Sequence, residues 1–286
     1  MMVKIASAAM HGTRNTEENL KIYQGFIEEA AAQGADLLVL PELSLQGFPA
    51  SMLACDPGES YELTRTAERV PDGPSTQFMI GQAAKHHMYL VWGMYETAGE
   101  PGVVYNAAVL VGPEGYIGHH RKVHLPGVER LSSTPGDAFR TYDTEIGKIG
   151  LCVCYDKVFP ESTRTLALQG AQIVCAPTAW PCVEPVPEDP QAYCLNIVDQ
   201  ARALENQFFL VASNHVGPYE GELCCGQSRI IDPNGAIVAT TDMEHPGLAV
   251  WEGDVYETIA AARCGATSLI DNLLRDRRPD TYFKEN

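Results

Sequence analysis

The stretch Lys148-Ile-Gly-Leu-Cys-Val-Cys-Tyr-Asp-Lys-Val-Phe-Pro-Glu161 constrains this chain more than any other. It reads as a buried strand that stops abruptly and hands over to a helix near Pro160, where the missing proline N–H costs nothing. Cys154 falls at the junction, at the strand's C-terminal end, with its sulfur facing open space and backbone N–H groups close by. That position suits a thiol nucleophile beside an oxyanion hole. A cysteine taken alone is more often a small buried hydrophobe, so the rest of the chain has to decide.

The pattern elsewhere is layered α/β. A strand over 4–10 leads to a helix opened by Thr16, with Leu20, Ile22, Tyr23, Phe26, Ile27 and Ala30 as its apolar stripe. Gln33-Gly34 stops that helix, and a strand over 36–40 completes a β-α-β start. Residues 48–70 read as loop with a little helix, and Ser75 as the cap of a helix reaching about His87. A strand over 88–95 and a hairpin over 106–120 follow. Later strands are expected around 139–142, up to Cys154, and over 172–176, 208–214, 227–231, 236–239 and 248–251. Helices are expected from Pro160, over 191–206, and from about Asp254. Strands that first alternate with helices and then recur in pairs argue for mixed (α+β) sheets covered by helices. No Pro/Gly/Ser-rich linker divides the chain, so 1–286 reads as one domain, with a C-terminal helix and tail over about 255–286.

Composition narrows the function. The formal net charge of −17 argues against nucleic acid and anionic membrane partners. No apolar run approaches a membrane span, and the N-terminus reads as a first strand rather than a signal peptide. Nine cysteines are an odd number with no disulfide-framework spacing, which fits a reduced, cytoplasmic protein. Cys152 and Cys154, two apart on a strand, would face the same way. Further zinc ligands at suitable spacing are lacking, since Cys224 and Cys225 are adjacent, so no metal is expected.

Two other segments end in chemistry. Leu37 to Leu40 form a short apolar run, Pro41 ends it, and Glu42 follows. Taken alone, Glu42 is a cap or an acid/base. His119-His-Arg-Lys-Val-His124 places Lys122 after a strand-like Tyr116-Ile-Gly-His. Only seven of the twenty basic residues are lysines, so Lys122 does not stand in a lysine-rich background. Taken alone, the segment is a basic surface strand. Together Glu42, Lys122 and Cys154 supply what amide hydrolysis by a thiol requires: a carboxylate that takes and returns a proton, a fixed cation for the oxyanion, and a nucleophile. Three similar strand-end contexts suggest that one rim of a sheet presents all three. A Cys–His pair using His119, His120 or His124 is the rival route to an active thiol.

The set resembles the nitrilase superfamily of carbon–nitrogen hydrolases. The matching motifs are Pro41-Glu42-Leu43, His120-Arg-Lys122-Val-His-Leu, Cys154-Tyr-Asp-Lys-Val-Phe-Pro-Glu161, Arg202-Ala-Leu-Glu-Asn206 and Gly226-Gln-Ser-Arg-Ile-Ile-Asp-Pro-Asn-Gly235. The resemblance implies a four-layer α-β-β-α sandwich and hydrolysis of a small non-peptide amide through a Cys154 thioester, with no cofactor. It implies that Glu129, ahead of Pro135-Gly136-Asp137, orients the lysine and the substrate amide. It also implies that Tyr155 contributes an oxyanion N–H, that Thr178 and Trp180 lie at the pocket, and that the chain forms at least a homodimer. Val158 departs from the arginine often found before Phe-Pro-Glu. Tyr155-Asp156 resembles the amidase and carbamoylase branches, whereas nitrile-acting branches tend to carry Trp-Glu there. Hydrolysis of an N-carbamoyl compound or a nitrile, acyl transfer, and a non-catalytic scaffold of the same fold are the alternatives. In the loop 178–190, Glu184, Glu188 and Asp189 either solvate the chain or bias the site towards cationic substrates.

Overall fold

The short apolar runs assemble into two six-stranded sheets, seen in a computed structural model that describes residues 1–47, 57–219, 222–265 and 271–282. The first sheet has the order β15 (Gly247–Asp254), β1 (Met2–Ala9), β2 (Leu37–Val39), β3 (Tyr89–Thr97), β4 (Val104–Gly112), β5 (Gly115–Arg121). Strands β1, β2 and β3 are parallel, and β4 and β5 return in antiparallel fashion, so β5 points the same way as β2. The second sheet has the order β14 (Ile237–Thr240), β13 (Arg229–Ile231), β10 (Phe209–Ser213), β8 (Ile173–Pro177), β7 (Gly147–Leu151), β6 (Thr141–Thr144). Its central three strands are parallel, and antiparallel strands flank them. A small third sheet joins β11 (Val216–Tyr219), β12 (Glu222–Cys225) and β9 (Pro181–Cys182), which the sequence pattern does not announce.

Alternation along the strands sorts the side chains into layers. Ile5, Leu37, Val39, Val91 and Leu110 of the first sheet pack against Ile149, Leu151, Ile173, Phe209 and Val211 of the second. On the outer face of the first sheet, Leu38, Leu90 and Trp92 meet Tyr23, Phe26 and Ile27 of α1 (Thr16–Ala32) and Met79 and Ala83 of α3 (Pro74–His86). On the outer face of the second, Val174 and Leu210 meet Leu166 of α4 (Pro160–Leu168) and Ala203 of α5 (Pro190–Asn206). The result is the expected α-β-β-α order. Three serines lace the sheets together. Ser7 Oγ donates to Ala212 O at 2.8 Å, while Ser213 Oγ and Ser228 Oγ donate to Ala8 O at 2.6 and 2.8 Å.

Helix ends show where local chemistry differs from expectation. Asn15, one residue before Thr16, caps α1 by accepting from the N–H groups of Glu17 and Glu18. Pro74 starts α3 with Gly73 at the cap, so Ser75 lies inside the first turn and donates its hydroxyl to Glu68. Asp189 does not solvate its loop. Its carboxylate is buried and accepts from Val183, Glu184, Gln191 and Ala192 N–H groups, which ties β9 to the start of α5. The expectation for residues 48–70 lies in part outside the described residues; the rest includes α2 (Pro57–Thr66). After α6 (Val255–Arg263) the described tail is irregular apart from a short turn at Pro279–Thr281. Among the described residues, no helix is long and apolar enough to cross a membrane.

Ile5 sits at the inter-sheet interface with no exposed surface. Ile5→Ala should therefore cost about 2–5 kcal/mol, read as a lower urea midpoint at unchanged slope.

Candidate active site

The main-chain exit from β2 positions the first site residue. Leu40 N still bonds Val91 O at 2.8 Å, and the chain then turns over residues 42–46. Gly93 on β3 makes the turn possible, because a Cβ there would stand 2.4 Å from Leu43 N and 2.5 Å from Glu42 Cα. Glu42 N donates to Thr178 O at 3.3 Å, and His215 Nε2 donates to Glu42 O at 2.7 Å. The carboxylate of Glu42 is thus held from both sides of its peptide.

Lys122 stands one residue beyond β5, where its N–H donates to Asn106 O at 2.8 Å and its carbonyl accepts from Gly136 N. Its Nζ lies 2.7 Å from Glu42 Oε1 and 2.7 Å from Glu129 Oε2. Glu129 is carried by a short 3-10 turn, Gly127–Leu131. Asn106 Nδ2 donates to Glu42 Oε1 at 2.7 Å and to Glu129 Oε1 at 2.8 Å, which closes the square. Burial opposes the charge on Lys122, yet Glu42 and Glu129 outweigh it and hold the ammonium well above its ordinary range. Burial pushes the Glu129 carboxyl up; Lys122 pulls against that, and Glu42 adds to it.

Cys154 does not lie on the strand. β7 ends at Leu151, and Cys154 opens a 3-10 turn, Cys154–Val158, with φ +43°. A left-handed conformation in a residue with a side chain costs about 1–2 kcal/mol. Asp156 holds that geometry. Fully buried, it accepts from Val153 N (3.1 Å), Val123 N (3.2 Å), His124 N (2.9 Å), His120 Nε2 (2.9 Å) and His124 Nδ1 (2.9 Å). Burial raises the Asp156 carboxyl, but the His120 and His124 hydrogen bonds prevail and keep it below the usual carboxylate range. One side chain therefore binds the Cys154 elbow to the segment that carries Lys122. The Cys154 thiol, buried and 3.8 Å from Ala179 O, is pushed up by desolvation and by Glu42, against the pull of Lys122 and Lys157.

Two sheets, not one, supply the rim. Glu42 and Lys122 follow the C-terminal ends of β2 and β5 in the first sheet; Cys154 and Thr178 follow those of β7 and β8 in the second. Cys152 and Cys154 also part company. Cys152 packs with Leu166 and Val174 behind the second sheet, while Cys154 packs with Trp180, Cys182 and Ala192. The strand ends before either residue, and the left-handed turn sends the second sulfur elsewhere. Of the histidines, His120 and His124 bond Asp156, and His119 Nδ1 bonds Tyr116 OH at 2.5 Å. Thr178 is fully buried behind the site, where its hydroxyl donates to Ala176 O and accepts from Lys157 Nζ. Trp180 is nine-tenths buried in the cluster that contains Cys154, and its ring N–H donates to Gln191 O. Tyr155 is half-buried, with its ring edge-on to Phe159. Among the described residues, no group of three or more His, Cys, Asp and Glu side chains is arranged to hold a metal ion.

Asn106 and Asp156 were the residues whose roles sequence reasoning underrated. A lone asparagine at the head of the apolar run Asn106-Ala-Ala-Val-Leu-Val111 is the signal that could have pointed to the first.

A family model described as carbon-nitrogen hydrolase matches residues 4–263. The chain belongs to the carbon–nitrogen hydrolase family. It is 34% identical over 285 residues to a protein named nitrilase from Pyrococcus abyssi, covering 99% of this chain and 100% of that one. It is 28% identical over 280 residues to an omega-amidase from Mus musculus, covering 94% and 92%. Among solved structures it resembles an amidase variant from Nesterenkonia sp. AN1 that shows covalent addition of the acetamide moiety of fluoroacetamide at its active-site cysteine. The TM-score is 0.78 at 25% identity, covering 97% of this chain and 95% of that one. This carbon–nitrogen hydrolase therefore shares both sequence family and fold with amidases.

Gly93 gives a direct handle on the geometry. Gly93→Ala should displace the Glu42 main chain and lower kcat by about a hundredfold while circular dichroism stays native. An unchanged kcat would show that the turn tolerates the methyl group.

Proposed function

We propose that this carbon–nitrogen hydrolase converts a small non-peptide amide to the carboxylic acid and ammonia or an amine through a Cys154 thioester. The observation that carries the reading is the buried square of Glu42, Lys122, Glu129 and Asn106, with contacts of 2.7–2.8 Å, whose charges act on the Cys154 thiol. Glu42 takes the proton from Sγ as sulfur attacks the carbonyl carbon. Lys122 and the Tyr155 N–H hold the oxyanion. Collapse expels the nitrogen leaving group, which takes the proton from Glu42. Water, deprotonated by Glu42, then adds to the thioester, and its breakdown returns the thiol. Glu129 orients Lys122 and the substrate nitrogen. The covalent adduct on the active-site cysteine of the structurally similar amidase supports this course. A second reading, nitrile hydrolysis by the same thiol, is favoured by the name of the Pyrococcus abyssi relative. We also infer a homo-oligomer acting on a small molecule in a reducing compartment, which light scattering of the purified chain checks for its first part.

Cys154→Ala should abolish ammonia release from every amide the wild type cleaves and leave the melting temperature within a few degrees. Retained turnover would sink the thioester. Parallel assays on butyramide and butyronitrile separate the two readings.

The raised Glu129 carboxyl sets a pH expectation. As pH falls, Glu129 takes up its proton before an ordinary glutamate does, so the acid limb of kcat/KM should lie above pH 4.5. It should move when Glu129 is replaced by Gln.

A further inference from the structure

Behind Cys154 the chain buries a second lysine that the thiol–glutamate–lysine chemistry does not use. Lys157 is the third residue after the nucleophile and has no exposed surface. Its Nζ lies 2.6 Å from Asp199 Oδ1 on α5 and 3.3 Å from Thr178 Oγ1, after β8. It stands 6.0 Å from the centre of the Trp180 ring. Cys154 Sγ reaches the same segment, at Ala179 O. The ammonium and the sulfur therefore approach residues 178–180 together. On the other side of Asp199, Arg229 of β13 places Nε 3.9 Å from Oδ2 and is itself buried. Two cations thus share one carboxylate. Arg202 of α5 holds the elbow's main chain, donating to Lys157 O at 2.7 Å and Val158 O at 2.9 Å.

We propose that Lys157 is a positioning residue for the reaction at Cys154, acting as a second, non-contacting cation. With Arg229 and Asp199 it forms a buried cluster of net positive charge that favours the anionic states of the elbow. This deepens the reading of Cys154 as nucleophile and rests on it. The physical argument is one of charge balance. From the first sheet, Glu42 pushes the thiol up and Lys122 pulls it down, and a second carboxylate, Glu129, pairs with the same lysine. Asp156, on the elbow itself, is bound by His120 and His124. A thiolate or a tetrahedral oxyanion adds a further negative charge to this dry region, where fields are weakly screened. The cation that offsets it from the second sheet's side is Lys157, whose charge pulls the thiol towards ionisation alongside Lys122. A lysine that served packing alone would be replaceable by methionine without any change at the sulfur.

The test reads the sulfur directly, without substrate. The intact protein is treated with iodoacetamide at fixed pH, and the rate of labelling at Cys154 is followed by peptide mass analysis. Lys157→Met should slow labelling by up to about tenfold, one pKa unit. It should also lower kcat for an amide with KM little changed. Lys157→Arg should restore both. Asp199→Asn removes the countercharge and should shift Cys154 labelling the opposite way, to a faster rate, which a merely damaged fold would not do. Equal labelling rates in wild type and Lys157→Met, or slowing in both Lys157→Met and Asp199→Asn, would overturn the proposal. If Lys157→Met does not fold, the Asp199→Asn rate decides: acceleration supports the cluster and no change overturns it. Failure of the amidase reading would appear separately, as turnover surviving in Cys154→Ala.

Discussion

A lysine ammonium buried between two carboxylates is the constraint around which this molecule is built. Removing Lys122 from water is tolerable only where partners replace its hydration, and an uncompensated charge there would cost several kcal/mol. The partners come from residues 42 and 129, with Asn106 bonded to both carboxylates. Each is delivered by a different element, so the square closes only when β2, β4, β5 and the turn at Gly127–Leu131 are in register together. The two-sheet core supports that register, because Ile5, Leu37, Val39, Val91 and Leu110 bury against Ile149, Leu151, Ile173, Phe209 and Val211, and serines bond across the gap.

The elbow at Cys154 is a second, dependent constraint. A residue at φ +43° is retained only if its surroundings over-determine it. Asp156 does most of this with five accepted hydrogen bonds, three of them from residues 123 and 124 just beyond Lys122. Strain at the nucleophile and placement of the cation are therefore one structural problem with one solution. Gly93 is the counterpart on the other sheet, where the absence of a Cβ admits the Glu42 turn.

Much of this was legible along the chain, and what was not has physical causes. Element order followed from apolar periodicity, and Pro160 marked the start of α4 because proline fits only the first helical turn. Glu42 and Cys154 could be singled out because each ends an apolar run, and Lys122 because lysines are few and it follows a strand-like segment. The exact end of β7 was hidden, since Leu-Cys-Val-Cys is apolar whether it pairs or turns. Strand β9, two residues long, carries no periodicity at all. The roles of Asn106 and Asp156 were invisible for a different reason. A local reading of Asp156 finds only its own turn, whereas four of its five donors lie more than thirty positions away. Asp189 looked like a loop acid because burial of a cap depends on what packs over it.

The protonation of the resting site follows from the same layout. Burial and Glu42 push the Cys154 thiol up, so the proposed attack relies on proton transfer to Glu42 rather than on a standing thiolate. In that proposed attack the proton moves to a carboxylate already bonded to Lys122 and Asn106. In the proposed course the left-handed turn at Cys154 presents the sulfur, Glu42 receives its proton, and Lys122 meets the developing charge. Hydrogen bonds at residues 42, 122 and 156 fix the main-chain segments that carry these groups.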